Sequence, residues 1–230
     1  MGTLHVVATP IGNLEDLSPR ARRVLLESPV VVAEDSRHSG RLLTGIGGRP
    51  RYISLPGEHE VERIELVLQA LQVGDVALIS DAGMPAISDP GRRVVDAART
   101  SGFTVLCVPG PSAVVAAVAA SGLRADRFLF LGFLPRARGR LLRLLPEDPT
   151  VAVVFYESPR RLAKTLEWIA EALGERRVAV GREISKLHES WYRGTGSELA
   201  LTFREHPPRG ECTVVVEASP RSGVRALRNA

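Results

Sequence analysis

DVALISDAGMPAISDPG, residues 75–91, joins a short apolar run to a long loop of small and turn-forming residues. The run at 75–80 is bounded by turn residues and is typical of a strand. The loop at 80–91 has 12 residues, which is long for a connection between a strand and a helix. Because such loops are usually functional, this one is predicted to belong to a binding or catalytic site.

The surrounding sequence places this strand and loop in a regular α/β pattern. Ser18 and Pro19 combine a helix N-cap with a favoured first-turn proline, and residues 58–73 repeat apolar side chains at spacings of three and four. A further helix at 90–101 ends at Gly102. Alternating strands and helices predict a mostly parallel sheet with helices on both faces. The predicted strands of this first half are LHVVA (4–8), PVVVAE (29–34), RYISL (51–55), DVALIS (75–80) and FTVLCV (103–108).

The second half of the chain has a different pattern, and we predict a domain boundary near residues 109–122. Ser158 and Pro159 again start a helix, which runs to about Leu173, and a short helix around 197–204 lies between the last two strands. The predicted strands are RFLFLGFLP (127–135), TVAVVFYES (150–158), RRVAVGRE (176–183), ESWYRGT (189–195) and ECTVVVE (211–217). The expected organisation is an N-terminal α/β domain (1–112), a C-terminal α/β domain (113–219) and a mobile basic tail (220–230).

The composition is that of an ordinary globular protein, with 44% apolar and 24% charged residues. The net charge is +4, and only two of the 30 basic residues, Lys164 and Lys186, are lysines. The planar fork of arginine suits phosphate groups, which keeps nucleic acids among the candidate partners. A genome rich in G and C would also make arginine, alanine and glycine abundant, and composition alone favours that explanation.

Cysteine usage and the lengths of the apolar runs indicate the cellular compartment of the protein. Cys107 and Cys212 lie in the apolar runs VLCVPG and GECTVVVE, which predicts buried reduced thiols rather than a disulfide framework. No His/Cys cluster has metal-ligand spacing, and no charged region precedes an apolar stretch at the N-terminus as in a signal peptide. The longest apolar run, residues 113–120, is far shorter than the ~20 residues that cross a bilayer. We therefore expect a soluble, cytoplasmic protein with no membrane partner and no metal.

Four loops follow predicted strands, at the sheet edge where open α/β folds bind ligands. They are TPIGN (9–13), AEDSRHS (33–39), SDAGMPAISDPG (80–91) and PGPSA (109–113). Asp81 follows its strand directly, where it accepts hydrogen bonds either from a ligand or, as a cap, from the next helix. Ser112 is placed to cap a helix whose free N–H groups face a carboxylate or phosphate. Glycine-rich Rossmann and P-loop motifs are absent, which disfavours both kinds of nucleotide site.

Charged side chains concentrate in three segments. AEDSRHS brings acidic, cationic and imidazole groups directly after a strand, which suits proton handling or the positioning of phosphate. A surface ion-pair network with Asp35 as a helix cap is the alternative. GREISKLHES (181–190) is a second mixed cluster that a solvated face explains nearly as well. PRARGRLLRLLP (135–146) is basic enough to bind phosphates, although a chain so rich in arginine also produces such a segment by chance. The residues concerned are Glu34, Asp35, Arg37 and His38; Arg182, Glu183, Lys186 and His188; and Arg136, Arg138, Arg140 and Arg143.

Eight motifs, taken in order, resemble those of the ribosomal RNA small subunit methyltransferase I family, within the tetrapyrrole methylase superfamily. They are VVATPIGNLEDLSPRA, AEDSRHSGRLL, SDAGMPAISDPG, PGPSAVVAAVAASGL, DRFLFLGFLP, FYESPRRL, REISKLHE and RGECTVVVE, between about residues 4 and 218. The resemblance implies two α/β domains, with a mostly parallel N-terminal sheet, a mixed C-terminal sheet and S-adenosylmethionine in the cleft between the domains. It also implies a homodimer that 2′-O-methylates one cytidine in the decoding region of 16S rRNA, on the assembled 30S subunit.

The resemblance also implies roles for particular residues. The implied donor-binding residues are Pro10, Ile11, Asp81, Ala82, Met84, Ser112, Ala113, Phe155 and Tyr156. The catalytic candidates come from the charged clusters themselves, because a ribose hydroxyl needs a base, either Glu34 or Glu183, and the flanking phosphates need cations such as Arg37, Arg182 or Lys186. The full set of catalytic candidates is Glu34, Asp35, Arg37, His38, Glu183 and Lys186. RNA contacts are expected from Arg136, Arg138, Arg140, Arg143 and Arg182. The chain departs from the family pattern at Met84, where threonine is more common, and at LPGEHE (55–60), where the family has a more histidine-rich stretch around His59.

Two other functions share parts of this pattern. A methyltransferase acting on a tetrapyrrole or another small molecule would use the same donor site. Its macrocycle pocket would need a more apolar lining than AEDSRHS and the arginine-rich segment provide. A non-catalytic ribosome-binding factor with a vestigial donor pocket is disfavoured because SDAGMP and PGPSA are intact.

Overall fold

The computed structural model describes residues 1–56 and 60–219 and divides the chain into two compact units, Met1–Ser112 and Ala113–Ala230. Each unit has a five-stranded sheet and hydrophobic cores of its own. The predicted basic tail and His59 lie outside the described residues. Within the described part of the chain, no helix is both long and apolar enough to cross a membrane.

The first unit is built on a sheet of parallel strands. Its strands are β1 (Thr3–Val7), β2 (Val30–Ala33), β3 (Arg51–Ser54), β4 (Val76–Ile79) and β5 (Thr104–Val108). Its helices are α1 (Pro19–Glu27), α2 (Ser36–Gly45), α3 (Glu60–Val73) and α4 (Arg92–Thr100), with a 3₁₀ helix at Leu14–Asp16. The strand order is β3-β2-β4-β1-β5, and all neighbouring pairs are parallel. The parallel sheet predicted from the alternation of strands and helices is confirmed.

The central strand β4 shows why this half of the sequence contains continuous apolar runs. All four of its residues are buried, because helices cover both faces of the sheet. Leu78 packs in a core with Leu71 of α3, whereas Ile79 packs on the opposite face with Leu25 of α1. Strands of this kind show no alternation of polar and apolar residues.

The strand order brings the carboxyl ends of four strands side by side. β2, β4, β1 and β5 are consecutive in the sheet, and they are followed by AEDSRHS, SDAGMPAISDPG, TPIGN and PGPSA respectively. Because the carboxyl ends of parallel strands meet at one edge, four loops from separate parts of the sequence line a single edge of the first unit.

The second unit is built on a mixed sheet, as the resemblance implies. Its strands are β6 (Phe128–Phe133), β7 (Ala152–Glu157), β8 (Arg177–Arg182), β9 (Ser190–Thr195) and β10 (Cys212–Val216). Its helices are α5 (Ala113–Ser121), α6 (Arg138–Leu142), α7 (Pro159–Leu173) and α8 (Gly196–Glu205). In the order β6-β7-β10-β8-β9, β6 and β7 are parallel and the other neighbours are antiparallel. On one face Phe155 packs with Phe203 of α8, and on the other Val154 packs with Val114 of α5.

The two cysteines differ, although both were predicted to be buried. Cys212 lies in the central strand β10, where burial raises the pKa of its thiol to about 11. Cys107 is exposed, and the prediction for it is wrong. It lies on β5 at the edge of the first sheet, where its neighbour Leu106 is 50% exposed. Both thiols are free.

Candidate functional site

Two loops at the edge of the first sheet are joined by a pair of backbone hydrogen bonds. The N–H of Thr9 donates to the carbonyl of Gly83 at 2.9 Å, and the N–H of Gly83 donates to the carbonyl of Thr9 at 3.1 Å. Thr9 is buried, and its Oγ1 donates to the carbonyl oxygen of Ser80 at 3.2 Å. These bonds fix TPIGN to SDAGMP.

Two glycines let three of the loops approach closely. Gly83 has a φ of +79°, and a Cβ there would lie 3.3 Å from Ile11 Cγ2 and 3.6 Å from the carbonyl oxygen of Pro111. A Cβ on Gly110 would lie 2.9 Å from the Cβ of Ala8, closer than real Cβ atoms come to other atoms. TPIGN, SDAGMP and PGPSA therefore meet at one place, although they are far apart in the sequence.

The fourth loop, AEDSRHS, reaches the same place through Asp81. The N–H of Asp35 donates to Asp81 Oδ1 at 3.4 Å, near the long limit for a hydrogen bond. Asp81 does not cap the next helix, which was the alternative for it, because α4 begins after Gly91 and has no side-chain cap. Its carboxylate instead contacts the neighbouring loop.

The residues implied in donor binding in and next to these loops differ in exposure. Ala82 is exposed, whereas Met84 packs against the core of the first unit and anchors its loop. Five others are half-buried: Pro10, Ile11, Asp81, Ser112 and Ala113. Most of these residues are thus accessible at the surface of their own unit.

Backbone strain is concentrated in two segments that the sequence singled out. Among the described residues, four that are not glycine have a positive φ: Ala86 (66°), Ser88 (65°), Glu183 (52°) and Ser185 (67°). The first two lie in SDAGMPAISDPG and the other two in GREISKLHES. Such conformations cost about 1–3 kcal/mol each and cluster at active sites, where the surrounding structure holds them.

Acidic side chains are grouped around Glu34, directly after β2. Burial raises the pKa of the Glu34 carboxyl, and the charges of Asp89, Asp81 and Asp35 raise it further. Burial also raises the pKa of Asp89, although a hydrogen bond from Ser80 acts to lower it. A carboxyl group whose pKa is raised toward neutral pH is suited to accept and return a proton.

Asp35 and Arg37 have different local roles. Asp35 is the N-cap of α2, and its Oδ1 accepts hydrogen bonds from the N–H of Arg37 at 2.8 Å and from the Arg37 side chain at 3.3 Å. The alternative assignment of Asp35 as a helix cap is therefore confirmed. The Arg37 side chain is 91% exposed. His38 belongs to α2, and its side chain lies outside what the structure describes.

Lys186 of the second unit lies between two carboxylates. Its Nζ donates to Glu183 Oε1 at 3.0 Å and to Glu211 Oε2 at 2.8 Å. The N–H of Glu211 donates to the same Glu183 oxygen at 2.8 Å. Burial acts to lower the pKa of Lys186, but the two carboxylates outweigh it and raise that pKa. Burial acts to raise the pKa of Glu183, but the hydrogen bonds from Glu211 and Lys186 lower it.

Gly210 and Glu211 are functional candidates that the sequence analysis missed. Gly210 has a φ of +89°, and a Cβ there would collide with the carboxylate of Glu183. Both residues belong to RGECTVVVE, which carried part of the resemblance without any assigned role. The scarcity of lysine drew attention to Lys186, but no such signal marks one acidic residue among 26.

Arg182 is engaged in hydrogen bonds within its own unit. Its guanidinium donates to the carbonyl of Arg209, to the carbonyl of His188 at 3.1 Å and to Ser190 Oγ at 3.2 Å. These bonds tie the segment before β10 to the start of β9. Arg182 is therefore less available to RNA than the sequence predicted.

Phe155 and Tyr156, neighbours on β7, have different surroundings. Phe155 is fully buried in the core of the second unit, so any donor contact there is limited to its backbone. Tyr156 is half-buried, with its ring centroid 5.0 Å from that of Phe130 and 5.3 Å from that of Phe133. Of the two side chains, only that of Tyr156 reaches the surface.

The arginine-rich segment is exposed and fixed at its start. All four predicted RNA-binding arginines within it are exposed: Arg136, Arg138, Arg140 and Arg143. Arg161 of α7 donates to the two carbonyls just before Arg136, each at 3.0 Å, and pairs with the buried Glu157 at 3.2 Å. Arg138 donates to Glu171 of α7 at 2.7 Å. The segment thus has a defined position on its unit.

The chain matches known proteins over almost its whole length. The family described as Tetrapyrrole (Corrin/Porphyrin) Methylases matches residues 3–200. Ribosomal RNA small subunit methyltransferase I of Thermotoga maritima is 45% identical over 219 residues, which cover 94% of this chain and 98% of that protein. The protein of the same name from Pseudomonas aeruginosa is 45% identical over 240 residues, which cover 99% and 85% respectively.

Solved structures of low sequence identity share the fold. Uroporphyrin-III-C-methyltransferase from Thermus thermophilus has a TM-score of 0.66 at 23% identity, with 95% of both chains covered. The same enzyme complexed with S-adenyl homocysteine has a TM-score of 0.64 at 20% identity, with 94% of this chain and 97% of that chain covered. For a cobalt precorrin-4 methyltransferase the TM-score is 0.70 at 17% identity, with 94% of both chains covered. This protein therefore belongs to the tetrapyrrole methylase family and, within it, to the ribosomal RNA small subunit methyltransferase I family.

Proposed function

We propose that this protein transfers a methyl group from S-adenosylmethionine to the ribose 2′-oxygen of a cytidine in the decoding region of 16S rRNA, on the assembled small ribosomal subunit. The observation that carries the proposal is the 45% identity, over 94% of the chain, to a protein named ribosomal RNA small subunit methyltransferase I. The four loops of the first unit support a donor site, and the exposed arginines of the second unit support an RNA substrate.

The methyl donor is S-adenosylmethionine, and the loops of the first unit fit it chemically. This donor carries ribose hydroxyls, an ammonium group, a carboxylate and a positively charged sulfur. Asp81 offers a carboxylate to its hydroxyl or ammonium groups. The close approach at Gly83 and Gly110 brings the main-chain polar groups of three loops together. Glu34, Asp81 and Asp89 form an acidic group at this edge, which favours a cationic ligand.

Deprotonation of the ribose hydroxyl is assigned to Glu34. When bound, the donor supplies an electrophilic methyl group, so the protein must chiefly align the reactants and exclude water. A hydroxyl is a poor nucleophile while it keeps its proton, and a positioned base accelerates such a step by about 10²–10⁴-fold. The raised pKa of Glu34 makes it a stronger base than an ordinary carboxylate. Asp35 is less suitable because its carboxylate caps α2.

Glu183 is a weaker candidate for the base. Its carboxylate already accepts hydrogen bonds from Lys186 and Glu211, and its pKa is lowered although burial opposes the shift. Lys186 is held as a cation by two carboxylates, so it supplies a fixed positive charge and does not accept a proton. Arg37, with its exposed side chain, is the candidate for holding a phosphate next to the target nucleotide.

The arginine-rich segment is proposed to bind phosphates of the RNA. Arg136 and Arg140 are exposed and form no ion pair with any residue that the structure describes, whereas Arg138 shares its charge with Glu171. A target nucleotide must be presented out of its stack, and contacts to phosphates and to RNA shape favour that presentation. The fixed start of the segment keeps these cations in place.

A homodimer is part of the proposal, as the resemblance implies. Large apolar side chains are exposed on an edge strand of each sheet, with Leu106 on β5 of the first unit and Phe128 and Phe133 on β6 of the second. Exposed apolar residues on edge strands are typical of surfaces that bind another chain. Sedimentation velocity at micromolar concentration is expected to show a dimer, and a monomer would contradict this part of the proposal.

The activity is tested by incubating labelled S-adenosylmethionine with 30S subunits that lack the modification, followed by nuclease digestion and mass spectrometry. The expected product is 2′-O-methylcytidine from the decoding region. Calorimetric titration with the donor is the control for a folded donor site. Donor binding without methyl transfer to subunits or to naked 16S rRNA would contradict the proposal and indicate a small-molecule acceptor of the tetrapyrrole type.

A further inference from the structure

A groove of about 510 Å³ lies on the surface of the second unit, lined by residues of α7 and α8. Two cations of α7, Arg160 and Lys164, and one of α8, Arg204, line the groove together with a single carboxylate, Glu167. Its charged lining is therefore mostly basic.

The carboxylate of the groove is already paired. Arg204 of α8 donates to Glu167 of α7. Arg160 and Lys164 are exposed, and neither forms an ion pair with any residue in the described part of the chain. The Nζ of Lys164 lies 5.2 Å from the ring centroid of Trp168, a cation–π contact that orients the amine without neutralising it. The groove thus keeps two positive charges without a carboxylate partner.

One stripe of α7 connects the groove to the arginine-rich segment. Arg160, Lys164, Glu167 and Glu171 follow each other at spacings of four, three and four, which places them on one side of the helix. Glu171 is paired with Arg138 near the start of α6. Both carboxylates of the stripe are therefore neutralised by arginines from neighbouring helices, and the surface stays basic along its length.

We propose that this α7 stripe and the α7/α8 groove bind the phosphate backbone of the RNA substrate, in addition to segment 136–143. The inference rests on the proposed function and enlarges its RNA-binding surface. Arginine binds phosphate through two parallel hydrogen bonds, and lysine acts as a point charge. A protein partner would need an apolar anchor at the centre of the groove, but Phe203, the largest apolar residue of the lining, is only 2% exposed.

The test compares the variant Arg160→Gln/Lys164→Gln with a matched control, Arg63→Gln/Arg99→Gln. The control removes two exposed arginines from α3 and α4 of the first unit, in no site described above. Binding of the full chain to naked 16S rRNA and to 30S subunits is measured over a series of salt concentrations. Each lost phosphate contact should lower the slope of log affinity against log salt by about 0.7–1.

For the groove variant we expect a slope lowered by about 1.5–2 and an affinity lowered about tenfold or more at 0.1 M salt. The KM for subunits should rise, while kcat at saturating subunits and donor affinity stay unchanged. Lys164→Arg should keep the slope of the unmodified protein, because the charge remains. The control variant should change the slope by less than half as much.

Three other outcomes are distinguishable. Equal slopes and affinities in the groove and control variants would overturn the inference, even when the unmodified protein methylates subunits. A loss of affinity for subunits but not for naked 16S rRNA would overturn it too, and would indicate a ribosomal protein in the groove. If the unmodified protein transfers no methyl group but the groove variant loses salt-dependent RNA binding, only the proposed function is contradicted.

Discussion

Glu34 of the first unit and Glu183 of the second each follow a strand directly, yet the pKa values of their carboxyl groups are shifted in opposite directions. Burial and three neighbouring carboxylates raise the pKa of Glu34. At Glu183 the effect of burial is outweighed by hydrogen bonds from Glu211 and Lys186, which lower the pKa. The first arrangement favours uptake of a proton, and the second balances charge within the fold. The comparison supports Glu34 rather than Glu183 as the proposed base.

The largest expected effect is the loss of activity in Glu34→Gln. Removing the base should lower the rate of methyl transfer by about 10²–10⁴-fold. In the unmodified protein, kcat/KM should rise with pH through the raised pKa of Glu34 and then level off, because the deprotonated carboxyl is the active form. Calorimetry should show unchanged donor affinity. A rate within threefold of the unmodified protein, or a parallel loss of donor binding, would remove Glu34 from this role.

The two carboxyl groups should also have opposite effects on stability. A carboxyl group whose pKa is lowered on folding stabilises the fold above the pKa of the unfolded chain, and that contribution is lost as the pH falls through the folded-state pKa. A carboxyl group whose pKa is raised on folding stabilises the fold only at low pH, and that contribution is lost as the pH rises through the folded-state pKa. At pH 7, Glu183→Gln should therefore lower the free energy of unfolding, by about 1.5–3 kcal/mol for hydrogen bonds to a charged group. Glu34→Gln should raise it. Urea unfolding at pH 7 and below pH 4 measures both, and the differences should shrink at the lower pH.

The grouping of loops at one edge of the first sheet could be predicted from the sequence, because it depends on local patterns of residues. β2 and β4 are continuous apolar runs, each loop begins where its strand ends, and parallel strands place all carboxyl ends at one edge. The sequence could not supply the strand order, which brings TPIGN next to both SDAGMP and PGPSA. Nor could it show that Cys107 lies on an edge strand, where an apolar run stays exposed.

The second unit was harder to predict because its candidate residues depend on contacts between distant segments. Glu211 accepts a hydrogen bond from Lys186, which lies 25 positions earlier in the chain. Position 210 requires glycine because a Cβ there would collide with the carboxylate of Glu183, just after β8. The α7/α8 groove exists only when two helices pack together. Phe155 matches the family motif, but its side chain is buried because β7 presents that face to the core. The spacing of residues along the sequence does not indicate such contacts between distant segments.

A moderate effect is expected from Gly83→Ala at the junction of three loops. An alanine at a φ of +79° costs about 1–2 kcal/mol, and its Cβ would lie 3.3 Å from Ile11 Cγ2. The free energy of unfolding should fall by about that amount, and donor affinity should fall with it. Gly45→Ala is the matched control, because nothing lies within 4 Å of that Cβ and its φ is not positive. Equal donor affinities in the two variants would show that the junction does not shape the donor site.

The smallest effects are expected at the ion pair between Arg138 and Glu171. Substituting either residue should have the same effect on stability but opposite effects on RNA binding. Their N···O distance is 2.7 Å, but both side chains are more than half exposed, so losing the pair should cost about 0–1 kcal/mol in either variant. Arg138→Gln should weaken RNA binding severalfold, because it removes a cation from the basic surface. Glu171→Gln should strengthen RNA binding, because it releases Arg138 and removes a negative charge that repels phosphate. Filter binding to 16S rRNA at two salt concentrations measures both variants. Changes of the same sign would mean that the pair acts through the position of α6, since a shift of the helix would affect both variants alike.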